Sequence, residues 1–170
     1  ARAVRKVASL SPAAFGSPGR GPVGTVGEGR VQIAARPRRP ARPLPLPEAL
    51  GARVAIVPTC LGDDGAALRA ALRDGADAIV FVAFGAGHVA PPVLAALREA
   101  AAAVPVALTV RPERGALAHE TYGFEGAEGD LRASGALPAA ALSPQAARMI
   151  LLAGLGSDCG RGALADALDV

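Results

Sequence analysis

Aromatic residues are scarce in this chain: its 170 residues include no Trp, one Tyr (Tyr122) and four Phe. Because 51% of the residues are nonetheless apolar, the core has to be built from Ala, Val, Leu and Ile. The same scarcity removes the stacking platforms that single-stranded nucleic-acid binders interleave with arginines. Cysteine is limited to Cys60 and Cys159, which form no CxxC pair and have no histidine beside them, so a zinc ribbon or a redox dithiol is excluded. Lys6 is the only lysine. No charge-free apolar run approaches the ~20 residues that span a bilayer, and no basic-plus-apolar leader opens the chain. The expectation is a soluble protein of the reducing cytoplasm with no membrane partner. The first residue is Ala1 rather than Met, and a fragment is expected.

Charge of either sign is also modest, with 19% charged residues and a net charge of +3. The positive excess is concentrated at Arg36, Arg38, Arg39 and Arg42, interleaved with prolines. Proline at that spacing prevents a helix from presenting the arginines on one face. With no aromatic residue nearby, the run reads as a solvated linker and no nucleic-acid partner is expected. Catalytic punctuation is missing as well. None of the serines sits in a GxSxG elbow. Gly85-x-Gly87 lacks the third glycine of a dinucleotide fingerprint, and no Lys-Ser/Thr of a phosphate loop occurs. Neither a metal nor a cofactor is expected.

What is present is a regular alternation. The length suits one domain, or one domain with an arm. Residues 1–33 carry strand-like pieces (3–8 and 29–33) around a Gly/Pro/Ser-rich turn region at 17–24. Residues 34–50 form a Pro/Arg-rich linker, and residues 51–170 form the α/β domain. In that domain short apolar runs at 53–58, 78–84 and 104–110 read as buried strands. A helix follows Asp63-Asp64, with Asp64 as its cap and Gly75 as its stop. A second opens at Pro91-Pro92, and a third at Ser143-Pro144. Residues 135–138 read as a short fourth strand and 162–168 as a last helix; 111–130 reads as a polar, Gly-rich stretch. The fold class is therefore α/β: a small open parallel sheet with helices on both faces, preceded by a strand-containing arm and the linker.

In an open parallel sheet, ligands gather beyond the carboxyl ends of the strands. Three loops qualify: 59–65, 85–89 and 109–120. Position alone leaves two readings of His88 open. It follows two glycines that allow close backbone approach and can donate a hydrogen bond to a ligand, or it is a capping or plainly exposed histidine. Asp63-Asp64 at a helix start reads as a cap with favourable dipole charge rather than a metal or acid/base pair. His119-Glu120 has no second ligand at metal spacing. Cys60 has no His or Asn placed to activate it. These loops offer polar groups for binding and no activated nucleophile.

Several blocks, in order, resemble the bacterial-type L-asparaginase (asparaginase/glutaminase) family, in its C-terminal half. The first consists of Ala1, Arg2, Val4 and Lys6, then Phe15, Ser17 and Pro18, then Gly21, Pro22 and Gly24. Blocks at 62–80, 85–100, 104–115 and 122–155 follow. The resemblance implies the family's C-terminal domain fold and an amidohydrolase acting on L-asparagine, a small amide, to give aspartate and ammonia. It implies no cofactor and a homotetramer in which this domain lends residues to a partner subunit's site. The family's threonine motifs, TGGTI-like and Thr-Asp, do not occur here and would precede Ala1, so no catalytic residue is assigned. The family's lent asparagine aligns with His88, its lent carboxylate falls near Glu120, and its Ser-Arg becomes Val110-Arg111. His88 and Glu120 are thus the implied substrate-binding residues, with Gly85, Gly87 and Arg111 in the site loops. A non-catalytic α/β binding or interaction module that lost the nucleophile domain is the alternative. The amidotransferase subunit that makes ammonia for tRNA-bound glutamate shares the fold.

Overall fold

The computed structural model describes residues 4–36, 43–139 and 141–169. Ala1, Arg2, Arg38, Arg39 and Arg42, which carried parts of the sequence argument, lie outside them.

The N-terminal arm is two antiparallel ribbons: β1 (Arg5–Lys6) with β2 (Phe15–Gly16), and β3 (Gly24–Gly27) with β4 (Arg30–Ile33). The second ribbon turns on Glu28 and Gly29 at φ of 50° and 73°, the left-handed backbone that a two-residue hairpin needs to match strand twist. Strand β3 was not anticipated, because the glycines at both its ends read as turn. The described part of the linker is docked rather than free. Ser157 Oγ donates to the Pro45 carbonyl at 3.1 Å, and Gly156 lies so close to the Ala49 carbonyl and Pro47 that a Cβ has no room.

The remainder is a parallel sheet: β5 (Val54–Pro58), α1 (Ala66–Arg73), β6 (Ala78–Ala83), α2 (Pro91–Ala103), β7 (Val106–Val110), α3 (Glu128–Ala133), β8 (Leu137–Pro138), α4 (Pro144–Leu155) and α5 (Arg161–Leu168). The strands lie side by side in chain order, all parallel. Right-handed crossovers between successive neighbours must all fall on one side of such a sheet. Accordingly Ile79, Phe81 and Leu108 pack against Leu68, Val93, Leu94, Leu97 and Leu131 from α1, α2 and α3. The alternate residues Val80, Ala107 and Leu137 point the other way, onto Ala147, Leu151, Leu164 and Leu168 of α4 and α5. Burial on both faces explains why the strands are continuous apolar runs without alternation.

Local chemistry sets the helix ends. Ser143 Oγ accepts from Ala146 N at 3.2 Å and Pro144 begins α4, as the sequence indicates. Gly75, at φ 74°, closes α1 with Gly75 N–H donating to Leu72 O and Ala76 N–H to Ala71 O. At the start of α1 the cap position belongs to Gly65, φ 82°, and Asp64 stands one residue earlier, its Oδ1 accepting from Ala66 N at 2.9 Å. Glycine is needed there because a Cβ would meet the Ala96 side chain where α1 crosses α2.

Candidate functional site

Strand β6 delivers the chain into a closed turn at the carboxyl edge of the sheet. Gly87 N–H and His88 N–H both donate to Phe84 O (2.7 and 3.1 Å), and Phe84 N–H returns a bond to His88 O at 3.1 Å. Gly85 (φ 38°) and Gly87 (φ 108°) supply conformations that a side chain disfavours. A Cβ on Gly87 would also run into Leu117.

Two further segments are stitched to this turn. Ala118 N–H donates to Ala86 O at 2.8 Å, and Val89 N–H donates to Gly126 O at 2.9 Å. Gly126, at φ 87°, sits where a Cβ would strike the Val89 carbonyl. The Asp130 carboxylate accepts from Gly126 N at 2.9 Å, and Arg132 Nε donates to Ala118 O at 2.9 Å. His88 is therefore enclosed by three loops with fixed spacing.

Beneath it lies Glu128, the first residue of α3 and fully buried. Its Oε1 accepts from Thr121 N at 2.5 Å and Tyr122 N at 2.8 Å. Its Oε2 has no hydrogen-bond partner, and neither does the buried Nε2 of His88, 3.7 Å away. Burial pushes the Glu128 carboxyl up, but the backbone N–H groups of Tyr122, Glu128 and Thr121, helped by His88, outweigh it and hold the carboxyl below its ordinary value. The His88 ring meets Tyr122 edge-on (centroids 4.6 Å, 90°) and Phe124 at 5.1 Å and 64°. Tyr122 and Phe124 are themselves about half exposed, so the histidine opens to the surface within an aromatic frame.

The other residues singled out from the sequence are spread along the same edge. Arg111 continues the ladder, its N–H on Ala83 O at 2.9 Å, and its guanidinium lies 5.2 Å from the Phe84 ring centroid. Glu120 is exposed. Asp63 and Asp64 are spent on local hydrogen bonds: Asp63 accepts from Gly65 N and from the Thr59 hydroxyl Oγ1, Asp64 from Ala66 N. His119 lies 3.1 Å from an Arg132 nitrogen. Cys60 is exposed and Cys159 half-buried, both free. Among the described residues no group of three His, Cys, Asp or Glu is placed to hold a metal ion. None of the described helices is long and apolar enough to cross a membrane.

The structure thus joins His88, Gly85 and Gly87 into one unit, with Arg111 beside it through Phe84. It adds Glu128, Tyr122 and Phe124, which sequence reasoning left in a polar stretch. The available signal was small: an acidic first turn, Leu131 four residues after Ala127, and the Gly135 stop.

Residues 53–167 match the family model described as the glutaminase/asparaginase C-terminal domain. A curated relative, the "probable L-asparaginase" of Deinococcus radiodurans, is 35% identical over 156 residues, which is 89% of this chain and 46% of that protein. Among solved structures, the thermostable L-asparaginase from Thermococcus kodakarensis superposes with a TM-score of 0.80 at 22% identity, over 99% of this chain and 51% of that one. A probable cytoplasmic L-asparaginase from Campylobacter jejuni gives a TM-score of 0.77 at 24% identity, over 98% and 50%. The chain spans about half the length of these relatives.

Proposed function

The chain belongs to the glutaminase/asparaginase family, and from that premise we propose that it is the C-terminal portion of an amidohydrolase converting L-asparagine and water to L-aspartate and ammonia. The observation that carries the reading is the family match over residues 53–167, joined to the surface-opening His88 cluster at the carboxyl edge of its sheet. In the division of labour proposed, residues 1–33 end the family's N-terminal domain, 34–50 connect, and 51–170 form the C-terminal domain. A threonine outside these residues attacks the amide carbon, ammonia leaves, and water releases the acyl group as aspartate. His88, and Glu120 from the neighbouring loop, reach the α-amino end of asparagine in a partner subunit's site within a homotetramer. Gly85 and Gly87 let the loop approach closely, and Arg111 steadies Phe84 at its base. A cytoplasmic location is part of the proposal, in keeping with the description of the C. jejuni relative.

Ammonia release from L-asparagine tests it, measured on the product of the whole gene, including any sequence ahead of Ala1, and on the 170-residue chain alone. The whole product should be active and His88→Ala should raise KM about tenfold, the scale of one charge-assisted hydrogen bond. Robust release from the chain alone overturns the division of labour. No release from the whole product overturns the enzyme reading in favour of a binding module, the reading that histidine in place of the family's asparagine favours.

A further inference from the structure

Among the described residues, His88 Nε2 and Glu128 Oε2 are the buried side-chain atoms without a hydrogen-bond partner, and they are 3.7 Å apart. That separation is too long for a hydrogen bond. Leaving two such atoms unpaired is costly, and buried polar groups are almost always satisfied. The chemistry of the two groups is complementary in only one sense. An ionised carboxylate can only accept, whereas an imidazole nitrogen donates only when it carries the proton. A neutral ring with its proton on Nδ1 would turn a lone pair toward the carboxylate, whereas a proton on Nε2 satisfies both atoms at once.

We propose that Glu128 is the positioning residue of His88: its Oε2 takes the Nε2–H, fixing the tautomer whose Nδ1 is an open acceptor for the ammonium group of an amino-acid ligand. The carboxylate is the fixed partner, because Oε1 is already committed to the Thr121 and Tyr122 amides. The ring is the mobile one. It rests edge-on against two half-exposed aromatics, and about 1 Å of travel brings Nε2 to charge-assisted hydrogen-bond distance. Nε2 is buried, so the 24% of the His88 side chain that stays exposed lies on the rest of the ring, where a ligand can arrive. The ligand half of the proposal rests on the function proposed above; the tautomer half does not.

The sequence has two histidines, so the chain with 15N-labelled histidine, and its His119→Gln variant for assignment, gives a readable long-range proton–nitrogen spectrum. At an alkaline pH where the nitrogen shifts themselves report a neutral ring, the parent should show a protonated Nε2 and a bare Nδ1 on His88. Glu128→Gln should invert the pattern. Its carbonyl keeps the two backbone amides, and its NH2 then faces Nε2, driving the proton to Nδ1. A parent spectrum with the proton on Nδ1 overturns the proposal even if the variant fails to fold, and so does an unchanged tautomer in folded Glu128→Gln. For the ligand half, Glu128→Gln in the whole gene product should raise KM for asparagine on the order of tenfold, the scale of one hydrogen bond to a charged group, with kcat moved far less. An inverted tautomer with unchanged KM overturns that half alone. Absence of ammonia release from the unsubstituted whole gene product overturns the amidohydrolase reading and leaves the positioning role standing.

Discussion

Replacing Gly126 with alanine probes the stitching of the site most directly. Gly126 has a φ of 87° and its missing Cβ faces the Val89 carbonyl, a backbone atom that cannot swing aside. The left-handed conformation costs an alanine about 1–2 kcal/mol. Relieving the collision pulls residues 121–128 away from the turn, breaking the bond from Val89 N–H to Gly126 O at roughly 0.5–1.5 kcal/mol. The sum is about 1.5–3.5 kcal/mol. With a urea dependence of about 2 kcal/mol per molar, the unfolding midpoint falls by roughly 0.75–1.75 M. Gly123 is the internal control. It lies in the same loop with open space around its Cα and no positive φ, so Gly123→Ala should be neutral or stabilise by about 0.4–1 kcal/mol through the unfolded chain. Urea denaturation followed by far-UV circular dichroism measures both, and amide exchange at Val89 locates the effect. A Gly126→Ala midpoint within about 0.2 M of the parent, or a loss equal to that of Gly123→Ala, refutes the reasoning.

Two further outcomes follow from contacts elsewhere. Ser143→Ala removes the side-chain acceptor for Ala146 N–H and should lower stability by about 1 kcal/mol, read as a midpoint shift in the same urea titration; Ser143→Asp should recover most of it. Because the Glu128 carboxyl is held below its ordinary value of 4.5, its contribution to stability is full above that pH and is lost as pH falls through the lower folded value. Glu128→Gln, which cannot titrate, should therefore lose stability less steeply than the parent on acidification below 4.5, measured as thermal midpoints across that range.

The sheet was legible because its determinants are local. Apolar runs of strand length, Pro91-Pro92, Ser143-Pro144 and the Gly75 stop each act within a few residues of where they stand. His88 could be singled out because two glycines precede it. Glu128 could not, since its meaning depends on the Thr121 and Tyr122 amides and on a ring forty positions away. Helix α3 spans six residues (Glu128–Ala133), too few to display a 3.6-residue period. The β3–β4 ribbon was half missed for a related reason: all four residues of β4 and the last three of β3 are exposed, so burial imposes no alternation on the sequence.

The chain-order arrangement of β5, β6, β7 and β8 also bears on how the protein is made. No strand has to wait for a later one to be inserted beside it. Each new strand meets an edge already in place, reached over a single intervening helix or loop segment, so the entropy of loop closure is met in small instalments. A chain emerging from the ribosome can extend the sheet in the order of synthesis, with β5–β6–β7 laid down before β8 exists. The face that α4 and α5 cover, bearing Val80 and Ala107, is the last to be sealed. Until they arrive it is the apolar surface that a nascent chain exposes longest.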